Sequence, residues 1–332
     1  MSKSYDFVAI GDITTDAFIR LKDASVHCDI NQENCTLSVS FGDKVPYEFV
    51  EVVRAVGNSP NAAVTASRLG LSSALVANLG NDQNGEECLD SLKNDGVSLD
   101  FMTTHEDKDT NYHYVLWYED ERTILVKHQQ FEYKLPNIGK PKWIYLSSMG
   151  ESSLDYHDEI SGYLEKNPEV KLAFQPGTFQ MKMGTERLSR IYNRTEIFFC
   201  NVDEAKRILG IENHTSIKDL LMAINKLGPK IVVITDGPKG AHAFDGENYW
   251  SVPVYPDPKA PYERTGAGDA FSSTVTTALV LGEPLENALL WGPINSMSVV
   301  QQIGAQKGLL SRKQTEEYLK NAPETYKPML IE

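Results

Sequence analysis

The sequence has no long hydrophobic run, few cysteines and fewer basic than acidic residues, and each shortage excludes a class of protein. No apolar stretch reaches the roughly 18 residues that a membrane-spanning helix needs, and the opening MSKSYDFVAIGD lacks the apolar core and cleavage site of a signal peptide. The formal net charge of −14 argues against a protein whose main partner is a nucleic-acid backbone. We therefore expect a soluble cytoplasmic protein with neither a membrane nor a nucleic acid as its partner.

The spacing of cysteine and histidine also excludes several sites. Cys28, Cys35, Cys88 and Cys200 match no zinc or redox motif, and four cysteines in 332 residues do not make a disulfide framework, so we expect reduced structural thiols. The seven histidines form no HExxH motif that would predict a protein-held metal. The sequence also contains no GxxxxGK[ST] loop and no protein-kinase GxGxxG, so a bound phosphate would need another cradle.

Short β-branched and aromatic runs recur along the chain, with helical patterns between them. The runs are continuous rather than alternating, which is typical of strands that are buried on both faces of a parallel sheet. This order predicts an α/β fold with a doubly wound, mostly parallel sheet flanked by helices. The runs are DFVAIGD, ALVANLGN, WIYLSSMG, VKLAFQPG, EIFFCN and IVVITDG, and the helical patterns cover 59–69, 84–95, 155–166, 202–209 and 215–227.

Two regions interrupt this order and predict a small β-sheet lid on a single domain of residues 1–332. Residues 110–127 alternate side chains on both sides of a charged turn at 119–122, which is the pattern of a two-stranded hairpin. Residues 36–54 contain a second strand-like pair. No helical pattern covers either region, so we expect a lid formed by about 20–54 and 108–130. Because an aromatic sheet face tends to be covered by a partner, we also expect a homodimer through the lid.

Polar residues follow three of the predicted strands. Asp12 and Asp16 follow the first strand, Asn201 and Glu204 the fifth, and 235–237 the sixth. Ligands bind outside the carboxyl ends of the strands in open parallel sheets, so these side chains are expected to face one crevice. Each of them could instead end a strand or cap a helix, and the sequence leaves that alternative open.

The stretch ERTGAGDAF, residues 263–271, places three small residues before Asp269 and before a helical pattern. The first N–H groups of a helix lack an intrahelical acceptor and its N-terminus is electropositive, so an anion can approach them closely where side chains are absent. A carboxylate beside such an anion hole can accept a proton from an attacking hydroxyl, as phosphoryl transfer requires. The alternative is an aspartate that only the helix dipole favours.

This stretch and five earlier segments resemble the ribokinase-like, or PfkB, family of carbohydrate and nucleoside kinases, and the resemblance covers nearly the whole chain. ERTGAGD resembles the family's D-T-x-G-A-G-D signature. The earlier segments are AIGDITTDAF for the opening strand, VGNSPNAAVTASRLG for the Gly-Gly motif and its Asn, NLGNDQNGEECLDSLKNDGV for G-x-D-x-x-G, NVDEA for N-x-x-E, and ITDGPKGA for the nucleotide-contacting T-x-G-x-x-G segment.

The resemblance implies an ATP-dependent phosphotransferase that moves the γ-phosphoryl group to a hydroxymethyl group of a small sugar or sugar-like substrate, under a lid that excludes water. The implied catalytic residues are Asp269 as base and Gly266, Ala267 and Gly268 as anion hole. The implied substrate contacts are Asp12, Asp16, Gly57, Asn58 and Asn61, and the implied nucleotide contacts are Asn201, Thr235, Gly237, Gly240 and Asn295. Glu204 and Asn201 would hold Mg²⁺ through waters, and a monovalent cation (K⁺) could also bind.

Several positions depart from the family pattern. Glu263 and Arg264 stand where Asp and Thr are usual, which bears on the monovalent-cation site, and Val56 replaces the first Gly of the Gly-Gly pair. QPGTF, residues 175–179, stands where many relatives have an Asp-Pro-Asn-like stretch, and Thr274 stands at a usual Gly position. None of these changes removes the base or the anion hole, and together they predict a divergent branch with an unusual substrate.

Three other functions stay open from the sequence. A nucleoside kinase acting on the ribose 5′-hydroxyl would use the same residues, with aromatic side chains of 112–118 stacking on the base, although at strand spacing such residues more often pack within a lid. A sugar-phosphate acceptor would need a cationic cluster, for which the lid and crevice offer Arg122, Lys127 and Arg264, with Arg122 expected in solvent. A non-catalytic sugar-binding protein is disfavoured, because the base and the implied metal-binding residues are all present.

Overall fold

The apolar and amphipathic runs of the sequence form strands and helices in the predicted order. The computed structural model describes residues 4–28, 35–119, 121–211 and 215–331. Its strands are β1 (Phe7–Ile10), β2 (Thr14–Leu21), β3 (Ser25–His27), β4 (Thr36–Ser38), β5 (Tyr47–Val56), β6 (Ser73–Gly80), β7 (Met102–His105), β8 (Tyr112–Tyr118), β9 (Glu121–Leu125), β10 (Trp143–Leu146), β11 (Lys171–Phe174), β12 (Thr195–Asn201), β13 (Ile231–Thr235), β14 (Ala241–Phe244), β15 (Tyr249–Val252) and β16 (Met329–Ile331). Its helices are α1 (Asn58–Arg68), α2 (Gln83–Asn94), α3 (Leu154–Lys166), α4 (Thr178–Met183), α5 (Ser189–Arg194), α6 (Val202–Leu209), α7 (Ile217–Asn225), α8 (Ala267–Val280), α9 (Leu285–Val299) and α10 (Arg312–Lys320).

A ten-stranded sheet lies at the centre, in the order β16-β15-β14-β13-β12-β11-β10-β1-β6-β7. The strands from β13 to β7 in this order pair in parallel, and β14, β15 and β16 form an antiparallel edge. Helices α1, α2, α8 and α9 cover one face of the sheet, and α3, α5, α6 and α7 cover the other. The predicted doubly wound α/β fold is confirmed. In the described part of the chain, no helix combines the length and the apolar character that crossing a bilayer requires.

Strand β1 shows why the sequence runs are continuous. Phe7 and Ala9 pack into the core on one face of the sheet, and Val8 and Ile10 pack into the core on the opposite face. All four side chains are fully buried. A parallel strand that is covered on both faces has no position for a polar side chain, so the period-2 alternation of a half-exposed strand does not appear.

The predicted lid is a separate four-stranded sheet in the order β5-β2-β8-β9. Its inner face carries Phe18, Val115 and Trp117, which pack against Ile303 of the main body. Two details differ from the expectation. The lid sheet begins at Thr14, before the expected limit of 20, because β2 pairs with both β5 and β8 along its length. The strand-like pair within 36–54 is not a hairpin, because β4 pairs with β3 while β5 pairs with β2.

The expectation of four reduced thiols is wrong for two of the cysteines. Strands β3 and β4 pair with His27 opposite Thr36, so the next residue outward on each strand is a cysteine. Cys28 and Cys35 form a disulfide with a Cα–Cα distance of 4.0 Å. Spacing alone did not predict the bond, because the pairing of β3 with β4 is not apparent in the sequence. Cys88 and Cys200 are buried free thiols.

Protein purified without reductant and then denatured should therefore titrate as two thiols with Ellman's reagent, because Cys88 and Cys200 are the free pair. After reduction the same protein should give four thiols, the full number in the sequence. The double variant Cys28→Ser/Cys35→Ser should give two thiols under both conditions. Four thiols in the unreduced wild type would contradict the Cys28–Cys35 bond.

Candidate active site

The candidate site lies at the carboxyl edge of the main sheet, beside β1. Strand β10 lies on one side of β1 and β6 on the other, so the strand order reverses there. Asp12 follows β1 directly, Gln175 follows β11, and Asn201 and Thr235 end β12 and β13. The sheet topology therefore brings these side chains to one edge, and the lid strand β2 leaves the sheet at the same place.

Helix α8 begins at Ala267, directly after Gly266 and within the stretch of small residues for which the sequence predicted a helix start. Gly266 is the N-cap residue and has φ +81°, and a Cβ atom built there would lie 2.2 Å from Cβ of Ala305. Only glycine fits that conformation and that contact. Gly268 is exposed, and a Cβ atom built on it would have no atom within 4 Å. The amide of Ala267 donates to the carbonyl oxygen of Arg264 at 3.4 Å, so the anion hole stays a prediction for this turn.

Three side-chain amides converge on Asp269. Nδ2 of Asn58 donates to Oδ1 at 2.8 Å, and Nδ2 of Asn61 donates to Oδ2 at 2.8 Å. Nε2 of Gln175 donates to Oδ1 at 3.0 Å. Asn58 and Asn61 were assigned to the substrate from the sequence, and the structure places both of them on the predicted base. These bonds fix the direction of both carboxylate oxygens.

Gln175 is held in one orientation by two hydroxyl groups. Its Oε1 accepts from the hydroxyl of Tyr145 at 2.5 Å and from Oγ of Ser272 at 3.2 Å. Tyr145 and Ser272 also contact each other at 2.8 Å. Since Oε1 is occupied, the NH₂ group of Gln175 must face Asp269. Sequence reasoning noted the unusual QPGTF segment but did not predict this role, because Tyr145 and Ser272 belong to distant segments.

The protonation of Asp269 reflects two opposing effects. Burial raises the pKa of Asp269 above that of an ordinary aspartate, since water is excluded from the charged form. The amides of Asn61, Gln175 and Asn58 and the charge of Arg122 all lower that pKa. The net direction is upward, which makes this carboxylate a better proton acceptor than an aspartate in water.

Asn201 and Glu204 form a capping box at the start of α6. Oδ1 of Asn201 accepts from the amide of Glu204 at 2.8 Å, and Oε2 of Glu204 accepts from the amide of Asn201 at 2.9 Å. Both residues therefore cap α6, which is the alternative role that the sequence left open for them. Burial raises the pKa of Glu204, and the negative charge of Asp269 raises it further. Within the described ranges, no group of three His, Cys, Asp or Glu side chains could hold a metal ion.

The two aspartates near β1 have partners that the sequence did not reveal. Asp12 accepts from the hydroxyl of Tyr133 at 2.8 Å and from the amide of Gly150 at 2.7 Å. Oδ2 of Asp12 also lies 3.5 Å from Nδ1 of His128. Asp16 is 9% exposed. Its Oδ1 lies 3.3 Å from Nδ1 of His113. The sequence did not identify these histidines as site residues, because only the packing of the lid brings them to the aspartates.

Arg122 does not lie free in solvent as expected. It is on β9, and its Nε is buried and lies 4.0 Å from Oε1 of Glu263. Glu263 is 4% exposed and accepts from the amide of Thr265 at 2.7 Å. Because the positive charge of Arg122 also lowers the pKa of Asp269, the lid places a cation close to the predicted base.

The predicted nucleotide contacts separate into two groups. Thr235, Gly237 and Gly240 lie together at the end of β13, and Gly240 has φ +91° with its backbone pressed against the carbonyl of Val252. Asn295 is fully buried between α8 and α9. Its Nδ2 donates to Oγ1 of Thr274 at 2.7 Å, and its Oδ1 accepts from the amide of Leu310 at 2.9 Å. An adenine contact by Asn295 would require these bonds to break.

Comparison with known proteins identifies the family of the chain. The family model for pfkB family carbohydrate kinases matches residues 23–312. The ribokinase of Bacillus subtilis (strain 168) is 27% identical over 276 residues, which are 79% of this chain and 87% of that protein. The nucleoside kinase of Methanothermobacter thermautotrophicus is 23% identical over 263 residues, which are 76% of this chain and 80% of that protein. The resemblance to the PfkB family is confirmed.

Solved structures show the same fold. Arabidopsis thaliana ribokinase complexed with ribose and ATP superimposes with a TM-score of 0.79 at 21% identity, covering 96% of this chain and 99% of that one. Methanocaldococcus jannaschii nucleoside kinase superimposes with a TM-score of 0.75 at 18% identity, covering 96% of this chain and 100% of that one. Since both kinds of kinase match, the comparisons leave the acceptor open.

Replacing Gln175 by Ala should raise the pKa of Asp269 further, because a hydrogen bond to the ionised form is lost. The measurement is a ¹³C NMR titration of the Asp269 carboxyl carbon. Tyr145→Phe is the matched control, since it keeps the Gln175 amide and removes only one of the two hydroxyls that orient it. We expect a smaller shift there. An unchanged Asp269 pKa in Gln175→Ala would contradict the assigned bond.

Proposed function

Because this chain belongs to the pfkB family of carbohydrate kinases, we propose that it transfers the γ-phosphoryl group of ATP to a hydroxymethyl group of a small sugar or sugar-like substrate. Membership of this family makes it a phosphotransferase with an alcohol group as acceptor. The observation that carries the proposal is the position of Asp269, a carboxylate in the first turn of α8 that three amides orient.

In the proposed reaction Asp269 accepts the proton of the attacking hydroxyl. The transition state of phosphoryl transfer is loose, so the proton leaves late and a carboxylate can serve as the base. The N–H groups of residues 266–268 stabilise the charge on the transferred group, since the N-terminus of α8 is electropositive. Asn58, Asn61 and Gln175 hold the carboxylate in its ionised form until that moment.

The proposed nucleotide site uses Thr235, Gly237, Gly240 and Asn201 at the carboxyl ends of β12 and β13. We do not include Asn295, because its amide joins α8 to the segment around Leu310. A solved relative, Arabidopsis thaliana ribokinase, is a complex with ribose and ATP, which supports ATP as the donor.

The residues near the proposed phosphates fit a hydrated Mg²⁺. The capping box uses Oε2 of Glu204 and, within the described chain, no hydrogen bond occupies Oε1. Mg²⁺ prefers a few carboxylate ligands together with waters and substrate phosphates, so Glu204 and Asn201 could hold it through water. When bound, the ion would neutralise charge on the phosphate oxygens. A monovalent cation such as K⁺ could bind near Glu263, whose Oε2 is buried without a partner among the described residues.

The proposed acceptor site lies between Asp12, Asp16 and Asp269. Gly57 brings these elements together, because a Cβ atom there would lie 2.7 Å from the carbonyl oxygen of Asp12. The close passage of the two backbones puts Asn58 beside the end of β1. The lid would cover the acceptor and exclude water, which could otherwise be phosphorylated in its place.

The aromatic residues of the lid give little support to the alternative, a nucleoside kinase that phosphorylates the ribose 5′-hydroxyl. Trp117 is buried, the guanidinium of Arg20 lies 4.4 Å from its ring centroid, and Tyr262 packs edge-on at 5.1 Å. Tyr114 is 48% exposed and pairs with Leu125 on the outer face of the lid. Trp117 is thus already packed against other side chains and Tyr114 is on the outer face, so neither of these two rings supports stacking on a base, which favours a sugar over a nucleoside.

The outer face of the lid supports the proposed homodimer. Val52, Ala17, Tyr114 and Leu125 lie side by side across the four strands. Val52, Tyr114 and Leu125 are exposed. A continuous apolar row on an open sheet face is typical of a surface that a partner covers.

Asp269→Asn should lower turnover by about 10²–10⁴-fold while the Kd for ATP stays nearly constant, because the general base is lost and the anion hole is kept. ADP release is measured with ribose, fructose, fructose 6-phosphate, 2-keto-3-deoxygluconate, adenosine and cytidine as acceptors. Asp90→Asn, which changes an exposed carboxylate of α2 in the same way, is the control. No ADP release above background by the wild type with any acceptor would reject the proposed function, and an unchanged rate in Asp269→Asn would exclude the base.

The 37.1 kDa chain should elute from gel filtration with light scattering as a species of twice that mass. The double variant Val52→Lys/Leu125→Lys should elute as the monomer, because it places two charges in the apolar row. Leu330→Lys changes an exposed leucine of β16 and should leave the dimer intact. A monomeric wild type at micromolar concentration would contradict the dimer.

A further inference from the structure

Several buried polar atoms of the described chain lack a hydrogen-bond partner, and three of them lie in one cluster. Within the described ranges, eight buried side-chain atoms have no partner. Oδ1 of Asp16, Nε2 of His113 and Nδ1 of His128 are three of these. Burying a polar atom without a partner is costly, so such a cluster indicates a place where a polar ligand completes the hydrogen bonds.

The lid positions this cluster. Asp16 on β2 is directly opposite His113 on β8, so both side chains lie on the same, inner face of the lid sheet. Oδ1 of Asp16 and Nδ1 of His113 are 3.3 Å apart without hydrogen-bonding geometry. His128 follows β9, and its ring centroid lies 5.1 Å from that of His113. Nδ1 of His128 is 3.5 Å from Oδ2 of Asp12, so each imidazole has a carboxylate beside it.

The cluster is also connected to the proposed base. The backbone of Gly57 passes so close to Asp12 that a side chain at residue 57 would collide with the Asp12 carbonyl oxygen. The next residue, Asn58, donates to Asp269 at 2.8 Å. Gly57 and Asn58 therefore connect the Asp12 end of the cluster to the base, and an acceptor whose hydroxymethyl group faces Asp269 would extend toward the histidines.

We propose that His113 and His128 determine the specificity for the acceptor. Each imidazole binds, together with the carboxylate beside it, a hydroxyl group other than the one that is phosphorylated. A hydroxyl has one proton, so it can donate to the carboxylate while it accepts from an imidazole N–H. Oδ1 of Asp16, Nε2 of His113 and Nδ1 of His128 lack a partner among the described residues, and Asp12 would accept the hydroxyl in addition to its bonds from Tyr133 and Gly150. The acceptor is therefore a polyhydroxylated compound with at least two such hydroxyls. This inference rests on the proposed phosphoryl transfer to a sugar-like alcohol.

The two histidines act as binding groups, distinct from the base. His113 comes from the lid sheet and His128 from the segment that follows its last strand, while Asp269 belongs to the main body. Removing an imidazole should thus raise the KM for the acceptor and leave kcat nearly unchanged, because the attacking hydroxyl and its base are intact. A merely structural loss would lower kcat for every acceptor together.

The test compares paired substitutions. His113→Leu removes the imidazole, whereas His113→Gln keeps an amide near the position of Nε2. His128→Leu and His128→Asn form the second pair, since Asn keeps a polar atom near the position of Nδ1. His27→Gln, on the exposed strand β3, is the control. Steady-state kinetics use ribose, fructose and their monodeoxy analogues, with adenosine for comparison, and calorimetry measures binding of the same compounds.

Each Leu variant should raise the KM for the preferred acceptor about tenfold, the loss of roughly one hydrogen bond, with kcat within about threefold of the wild type. The Gln and Asn variants should recover part of this loss. One monodeoxy analogue should be used equally well by the wild type and by a given Leu variant, because the hydroxyl that the histidine binds is already absent from it.

Unchanged KM values in both Leu variants, or an equal loss with the parent acceptor and all its deoxy analogues, would overturn the inference. Should the wild type bind these compounds in calorimetry but release no ADP with them, the proposed function fails, and the Leu variants then test the inference through Kd instead of KM. Absence of measurable binding of every polyhydroxylated compound to the wild type would overturn it directly.

Discussion

The candidate site depends on keeping one half-buried carboxylate ionised. Asp269 lies in the first turn of α8, where the helix N-terminus favours a negative charge and burial opposes it. Amides from α1 and from the end of β11 compensate by donating to both oxygens. The same contacts join two helices and the central sheet, so the arrangement that holds the base also fixes how α1 and α8 pack beside the crevice.

Most of the fold follows from patterns that the sequence shows openly. Strands buried on both faces give continuous apolar runs, and Phe7 to Ile10 illustrate why. The helix start near Gly266–Gly268 could be assigned from the helical spacing of the residues after Asp269, and Gly266 with φ +81° is the N-cap residue of that helix. Local rules of this kind act over a few residues, and a single sequence is sufficient to apply them.

The rest of the site could not be predicted by such local rules, because it depends on contacts between segments that are distant in the sequence. Gln175 reaches Asp269 only because Tyr145 and Ser272, from two other elements, hold its amide. His113 reaches Asp16 through the pairing of β2 with β8, and the Cys28–Cys35 bond needs a short hairpin that lacks any clear turn motif. Asn58 and Asn61 were found from the sequence but given to the substrate, since a motif identifies residues without stating their partners.

The way the lid is attached restricts how it can open. Only residues 11–13 separate β1 from β2, and only Gly57 separates β5 from α1, so the edge strand β5 and its neighbour β2 are both tied closely to the main body at one end. Strands β8 and β9 form the opposite side of the lid, and the longer segment 126–142 joins β9 to β10 of the main sheet. The lid would therefore rotate about its attached edge. Asp16 would stay beside the main sheet, while the opposite edge, which carries Arg122, would move the greatest distance.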